Sequence, residues 1–287
     1  MPRSLPIHTI IIGDSRRMDL LSDRSVDLVI TSPPYPMIKM WDGLFSRLDP
    51  RIARKLSSGK ASDAMDAYQM MHACLSDTIG ECSRVLSDGG ICCVNIGDAT
   101  RTFSGKFQLF PNHATMIHAL EDAGLSTLPY ILWKKPTNKP NAFLGSGFLP
   151  TNAYVTIDCE YILIARKGDL RKFAPKDPKR YRSAFSKEQR DRWFSQIWSD
   201  IPGADQTGGG RDDRTGAFPI EIPRRLIRMF SVEGDTVLDP FMGTGTTFLA
   251  ASEEKRNFVG YEIDEKAICS EILERPGLKV IRSSAKR

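Results

Sequence analysis

The chain has 287 residues, of which 41% are hydrophobic and 26% are charged, as in an ordinary globular protein. This composition excludes a mainly disordered chain, and 18 Pro and 22 Gly without a periodic repeat exclude a collagen-like one. The net charge of +5 permits an anionic partner such as nucleic acid but does not prove one.

The apolar runs and the cysteines bear on location and metal binding. No apolar run approaches the roughly 20 residues of a membrane helix, and the first residues lack a signal-peptide cleavage site. The six cysteines form no CxxC pair and have no matching histidines, so we expect reduced thiols and no metal site. These features predict a cytoplasmic protein without a membrane segment.

Short β-branched runs alternate with segments of helical periodicity. In chain order, the pattern predicts strands at 8–13 and 26–31, a helix at 64–86, a strand at 91–97, a helix at 113–124, strands at 128–133 and 154–168, a helix at 220–231, a strand at 236–240, a helix at 245–255 and a strand at 258–263. This alternation predicts an α/β fold with a mostly parallel sheet and helices on both faces.

Three stretches interrupt the alternation: residues 36–63, 134–153 and 166–217. The first is polar, and we predict an irregular loop there. The third begins with a basic run, because eleven Lys and Arg stand against four Asp and Glu within 166–192. Taken alone, such a run is explained by a solvated surface.

The first chemical motif is Thr31-Ser32-Pro33-Pro34-Tyr35, directly after the predicted strand at 26–31. Open α/β sheets bind ligands at the carboxyl ends of their strands. The two prolines stiffen the loop and remove two amide donors, so the loop presents carbonyl oxygens. Such a loop suits a flat polar ring that stacks on Tyr35 while its amine donates to Ser32 Oγ and the Pro33 carbonyl. An ordinary proline turn is the alternative.

The second motif runs from Asp239 to Thr247, between a predicted strand and a predicted helix. Gly243 and Gly245 allow a ligand to approach the backbone closely. Glu262 ends the next strand, where its carboxylate can accept hydrogen bonds from ribose hydroxyls. The sequence FMGTGTT departs from GxGxxG, which disfavours NAD, and it lacks the Lys of an NTP-binding loop. The motif therefore favours another adenosine-containing cofactor.

Together these motifs resemble the amino-methyltransferases of DNA, which carry an (Asp/Asn/Ser)-Pro-Pro-Tyr tetrapeptide and a cofactor motif like DPFxGxGTT. The catalytic motif comes first here, an order similar to that of the β class. The resemblance implies a Rossmann-like fold that depends on S-adenosyl-L-methionine (AdoMet). It also implies a catalytic half at 1–165, an inserted target-recognition region at 166–215 that contacts DNA, and an AdoMet-binding half at 216–287.

The resemblance also implies a role for individual residues. The catalytic residues would be Ser32, Pro33, Pro34 and Tyr35. The cofactor-binding residues would be Asp14, Thr31, Phe218, Pro219, Asp239, Pro240, Phe241, Gly243, Gly245, Thr246 and Glu262. The DNA-binding residues would be Lys134, Arg171, Lys172, Lys179 and Arg180. The loop at 36–63 could also fold over DNA.

Ser at the first position of the tetrapeptide is typical of cytosine-N4 enzymes, whereas Asp is typical of adenine-N6 enzymes. The resemblance therefore implies N4 methylation of a flipped cytosine in double-stranded DNA, with adenine-N6 methylation as the alternative. A non-catalytic DNA-binding module of the same fold is a more distant alternative. A restriction endonuclease is a candidate partner, and the sequence leaves open whether the chain is a monomer or a dimer.

Overall fold

The computed structural model describes residues 7–135, 144–145, 150–203 and 218–283. The strands are β1 (His8–Ile12), β2 (Val26–Thr31), β3 (Leu86–Ile96), β4 (Ala99–Phe103), β5 (Lys106–Phe110), β6 (Leu125–Lys134), β7 (Leu144–Gly145), β8 (Ala153–Tyr154), β9 (Cys159–Lys167), β10 (Ile197–Trp198), β11 (Thr236–Asp239), β12 (Asn257–Glu262) and β13 (Leu278–Arg282). The helices are α1 (Asp42–Leu48), α2 (Pro50–Ser57), α3 (Ala61–Val85), α4 (Asn112–Asp122), α5 (Pro178–Arg182), α6 (Lys187–Trp193), α7 (Glu221–Phe230), α8 (Thr246–Glu253) and α9 (Ser270–Leu273). Among these described helices, none is long and apolar enough to span a membrane.

One nine-stranded sheet organises the described residues, in the order β10-β6-β9-β3-β2-β11-β12-β1-β13. Only β9 runs against its neighbours, since it is antiparallel to both β3 and β6, and the other adjacent pairs in this sheet are parallel. The predicted α/β fold with a mostly parallel sheet is therefore confirmed. The carboxyl ends of β2, β11, β12 and β1 lie side by side at one edge of the sheet, called the carboxyl edge below.

Helices cover both faces of the sheet and bury an apolar core on each. On one face, α3 contributes Tyr68, Met71 and Leu75, which recur at helical spacing and are all buried. On the other face, α7 contributes Leu226 and α8 contributes Phe248 to a second buried cluster. The sheet carries apolar side chains on both faces, and each helix buries one apolar stripe against a face. A layer of helices is therefore needed on each side.

The stretch at 36–63 is not the irregular loop that we predicted, because it contains α1 and α2. Phe45 and Leu48 lie at helical spacing in α1, and Phe45 and Ile52 of α2 are fully buried. The Asp49 side chain accepts a hydrogen bond from the Arg51 N–H (2.9 Å) and caps α2. The many polar residues of this stretch favoured the prediction of a loop, although its apolar residues pack against the core.

The stretch after β9 first runs past the amino ends of the strands and then joins the sheet as its outermost strand, β10. Residues 169–182 run along the edge at which β2 and β11 begin, and α5 lies there. Then α6 leads to β10, which pairs with β6 and buries Trp198. The described part of the predicted recognition region thus packs on the sheet, and its glycine-rich part at 204–215 lies outside the described residues.

Candidate active site

The two predicted motifs meet at the carboxyl edge. Four adjacent parallel strands end there, and a cavity of about 510 Å³ lies among the loops that follow them. Its lining includes ten of the residues predicted from the sequence: Asp14, Ser32, Pro34, Phe218, Asp239, Pro240, Phe241, Gly243, Thr246 and Glu262. The other predicted residues of these loops do not line the cavity: Thr31, Pro33, Tyr35, Pro219 and Gly245.

Asp239 joins the loop after β2 to the loop after β11. Its carboxylate accepts hydrogen bonds from Thr31 Oγ1 (2.8 Å), from Thr247 Oγ1 (2.6 Å) and from the Phe241 N–H (3.1 Å). Asp239 is 2% exposed, and this burial raises its pKa to about 6. Since Thr31 is fully buried against Asp239, its hydroxyl serves to hold the two motifs together.

The glycine loop is shaped by backbone conformations that favour glycine. Gly243 has φ +50° and Gly245 has φ +95°, and a Cβ on Gly245 would lie 2.2 Å from Ile272 Cδ1. The Gly243 N–H donates to Glu262 Oε2 (2.9 Å), and the Asp264 N–H donates to Oε1 (2.9 Å). Burial raises the pKa of Glu262 above its ordinary value. Two backbone donors therefore fix the orientation of this carboxylate at the cavity wall.

Asp14 also lines the cavity and lies in the turn after β1, next to the end of β12. The Gly13 N–H donates to the Glu262 carbonyl (2.9 Å), so this turn is joined to the end of β12. Arg16 forms an ion pair with the Asp14 carboxylate (2.6 Å) and also lines the cavity. Burial raises the pKa of Asp14, but the hydrogen bonds from Arg16 outweigh it and hold the pKa below its usual value. Arg16 is not among the residues predicted from the sequence.

Tyr35 belongs to a hydrogen-bonded cluster next to the cavity. Its hydroxyl lies 3.1 Å from Ser32 Oγ, 3.0 Å from Glu160 Oε2 and 2.8 Å from Asn95 Nδ2. Lys135 forms an ion pair with the other carboxylate oxygen of Glu160. Burial and the nearby charge of Glu160 raise the pKa of Tyr35 well above its ordinary value, so the phenol keeps its proton at neutral pH. Asn95 and Glu160 are not among the residues predicted from the sequence.

The remaining walls come from helices that carry no recognisable motif. Leu44 and Leu48 of α1, with Trp41 before it, form an apolar side of the cavity. Leu75 and Thr78 of α3 lie beside them on the lining. The stretch that we predicted to fold over DNA thus contributes directly to the cavity wall. Its helical spacing of apolar residues was the signal that could have revealed it.

The chemistry of the lining fits a nucleoside that carries a charged tail. Carboxylates are available to hydroxyl and amine donors, a glycine loop allows close approach, and Phe241 and Trp41 offer aromatic surface. Cavities of several hundred Å³ are typical of small-molecule sites. Within the described ranges, no group of His, Cys, Asp and Glu is arranged to hold a metal ion.

Lys134 lies at the carboxyl edge, as a DNA contact near the cavity requires. It is the last residue of β6, and its side chain is exposed. Its neighbour Lys135 lies over the Trp133 ring, 5.1 Å from the ring centroid, in addition to its ion pair with Glu160. Trp133 itself is buried and donates to the Ile201 carbonyl (3.1 Å), so it belongs to the core.

The other four predicted DNA contacts lie at the opposite edge of the sheet. Arg171 forms ion pairs with Asp235 (2.5 Å) and Asp27 (3.5 Å), at the starts of β11 and β2. The Phe173 ring lies between the guanidinium groups of Arg171 (4.9 Å) and Arg180 (5.1 Å). Arg180 is therefore held at this edge together with Arg171.

This placement argues against a DNA contact of the basic run near the cavity. Strand β2 has six residues, so its two ends are separated by roughly 17 Å. Arg171 is committed to internal carboxylates, while three exposed residues share its edge: Lys172, Lys179 and Arg180. These four side chains are far from the cavity, and we do not include them in a DNA interface around it.

Comparison with known proteins shows which family this chain resembles. A family model for DNA methylases, covering N6 and N4 enzymes, matches residues 26–273. The Type II methyltransferase M.MjaI of Methanocaldococcus jannaschii is 59% identical over 280 residues, which make up 95% of this chain and 92% of that protein.

Two solved structures share the fold. TTHA0409 of Thermus thermophilus, described as a DNA modification methylase and crystallised with AdoMet, is 31% identical with a TM-score of 0.73. That likeness covers 97% of this chain and 99% of TTHA0409. The cytosine-N4-specific PvuII DNA methyltransferase is 17% identical with a TM-score of 0.63, over 92% of this chain and 86% of that one. At 17% identity the likeness concerns the fold alone.

Proposed function

The chain belongs to the DNA methylase family of N6 and N4 enzymes, and from that premise we propose that it methylates the N4 amine of cytosine in double-stranded DNA. It is a DNA methyltransferase that depends on AdoMet, so the proposal concerns the base and the residues that act. The observation that carries the proposal is Ser32, which occupies the first position of the tetrapeptide and lines the cavity. In this family Ser at that position is typical of cytosine-N4 enzymes.

The cavity residues would hold AdoMet. Glu262 would accept hydrogen bonds from the ribose hydroxyls, and the loop with Gly243 and Gly245 would allow close approach of the backbone. Asp14 would lie near the adenine, and Phe218 would contact the methionine end. When bound, AdoMet supplies an electrophilic methyl group on a sulfonium sulfur.

The chain's own residues would orient the target amine. An exocyclic amine is a weak nucleophile because its lone pair is delocalised into the ring. Ser32 Oγ and the Pro33 carbonyl would accept the two amine protons and aim the lone pair at the methyl group. Methyl transfer would leave the neutral thioether S-adenosylhomocysteine, and the surplus amine proton would pass to water. This mechanism uses orientation and electrostatics without a covalent intermediate on the protein.

The target base must leave the duplex to reach the cavity. Flipping costs a few kcal/mol, which contacts to the extruded base and to the phosphates must offset. Tyr35 would offer a ring face to the base, and Lys134 would contact a phosphate at the carboxyl edge. We do not include the basic run at 166–192 in this interface.

Product analysis tests this proposal directly. The purified protein is incubated with AdoMet and unmethylated plasmid DNA, and the DNA is digested to nucleosides for mass spectrometry. We expect N4-methylcytosine. N6-methyladenine in its place would overturn the base assignment, and DNA without new methyl groups would indicate a non-catalytic DNA-binding module. Sequencing of the same DNA with modified-base detection would locate the recognition site.

A further inference from the structure

Glu160 has no role in the proposed function so far, although it is charged and only 8% exposed at the edge of the active site. A buried carboxylate is costly unless it is paired and hydrogen-bonded. Three donors face Glu160: the Tyr35 hydroxyl at 3.0 Å, Asn95 Nδ2 at 2.7 Å and the Lys135 ammonium. With a cation and two polar donors around it, Glu160 acts as a hydrogen-bond acceptor.

This acceptor determines the direction of the hydrogen bonds that reach the cavity. The Tyr35 hydroxyl has one proton, and donating it to Glu160 leaves the phenol oxygen as an acceptor only. Asn95 Nδ2 (2.8 Å) donates to that oxygen from one side. Ser32 Oγ (3.1 Å) therefore donates to it from the other side.

The consequence falls on Ser32. Its only hydroxyl proton is directed at Tyr35, so both lone pairs of Ser32 Oγ remain available on the cavity side. A target amine needs an acceptor there, since an O–H proton pointing at the amine protons would repel them.

We propose that Glu160 is a positioning residue which, through the Tyr35 hydroxyl, holds Ser32 Oγ as an acceptor for the target amine. The inference rests on the proposed function only in requiring an exocyclic amine as substrate. Cytosine N4 and adenine N6 both satisfy that requirement.

The packing around this chain of hydrogen bonds is tight. A Cβ on Gly97 would lie 3.1 Å from Tyr35 Cε2 and 3.2 Å from Glu160 Cγ. Glycine at the end of β3 therefore leaves the space in which Tyr35 and Glu160 meet. The arrangement also gives the Tyr35 hydroxyl a use of its own, in addition to any stacking by the ring.

The test compares single-turnover methyl transfer by Glu160→Gln and Tyr35→Phe with that of the wild-type protein. Glutamine can donate as well as accept, so it no longer compels Tyr35 to donate, and phenylalanine removes the hydroxyl. We expect each change to lower the transfer rate about 10- to 100-fold, the effect of losing one hydrogen bond to a charged or reacting group. AdoMet affinity, DNA affinity and the thermal midpoint should stay near the wild-type values.

The decisive measurement is made in a Ser32→Ala background. A residue that acts through Ser32 has nothing left to orient there, so adding Glu160→Gln or Tyr35→Phe should change the Ser32→Ala rate less than about twofold. A general loss of structure would instead lower the rate by the same factor in both backgrounds. Such additivity would overturn the inference, as would a wild-type rate for both single variants.

A matched control is Tyr68→Phe, which removes another largely buried tyrosine hydroxyl, hydrogen-bonded to Thr115 Oγ1 (2.7 Å), away from the cavity. It should transfer methyl groups at the wild-type rate. If Glu160→Gln lowers the thermal midpoint, the Tyr35→Phe comparison decides. The base is determined separately on the wild-type product. Methylation of adenine would refute the cytosine assignment while leaving the coupling measurement valid, and an inactive wild-type protein would refute both.

Discussion

Replacing Glu262 with alanine tests the proposed placement of AdoMet. The Glu262 carboxylate accepts hydrogen bonds from the N–H groups of Gly243 and Asp264, and it would also accept hydrogen bonds from the ribose hydroxyls. A hydrogen bond to a charged group contributes about 1.5–3 kcal/mol. Losing the ribose contact alone should therefore raise the Kd for AdoMet about 10- to 100-fold. Release of the glycine loop can only add to this loss.

Isothermal titration calorimetry measures the effect, and Glu265→Ala is the matched control. Glu265 is also a glutamate, three residues further along, but its carboxylate pairs with Arg282 and does not line the cavity. Removing it deletes the same charge and should leave the Kd for AdoMet within about twofold. A folded Glu262→Ala protein with the wild-type Kd would refute the assignment of the ribose to this carboxylate.

The pH dependence of AdoMet binding gives an independent measure of the same carboxylate. Burial raises the pKa of Glu262, so it becomes protonated at a higher pH than an ordinary glutamate does. The protonated form loses the charge that strengthens its hydrogen bonds. AdoMet affinity should therefore weaken as the pH falls towards this raised pKa, and the Glu262→Ala protein should lack that part of the pH dependence.

Three further predictions concern stability and DNA binding. Asp239→Asn should raise the free energy of unfolding at pH 8 by up to about 3 kcal/mol, because burial raises the Asp239 pKa from 3.8 to about 6 and so destabilises the ionised native state. In urea unfolding the gain should fall to about half at pH 5 and disappear only below about pH 3.8, where both states are protonated, and an equal gain at pH 8 and pH 5 would contradict this cause. Lys134→Gln should reduce the salt slope of DNA binding by about 0.9, whereas Lys172→Gln should leave it unchanged; equal changes would restore the basic run as a DNA contact. Gly245→Ala should destabilise the protein by more than Gly59→Ala, since both have positive φ but only the former meets a side chain, and equal thermal shifts would contradict that reading.

The two motifs were predictable because each is local. A β-branched run followed by two prolines predicts a strand and a stiff loop, and the glycine loop combines a strand end with a helix start. Parallel strands end at a common edge, so the prediction of a parallel sheet already brought Ser32, Gly243 and Glu262 together. The structure agrees, and all three line one cavity.

The stretch at 36–63 had local signals that we did not weigh. Phe45 and Leu48 are spaced by three residues, and Asp49 precedes Pro50 as a helix cap precedes a first helical proline. The many polar residues around them favoured a loop. The helices form because the apolar stripe is buried, and burial depends on the rest of the fold.

The sequence by itself determined the family, the order of the motifs and ten of the residues that line the cavity. Only the tertiary structure decided the partners of the charged groups. Glu160 contacts Tyr35, which is 125 positions away in the sequence, and Arg171 contacts Asp235, which is 64 positions away. Glu160 therefore belongs to the active site, whereas Arg171 lies away from the predicted DNA interface. Local spacing determines which face of a strand or helix a side chain occupies, but a partner for a buried charge is determined by which elements lie side by side.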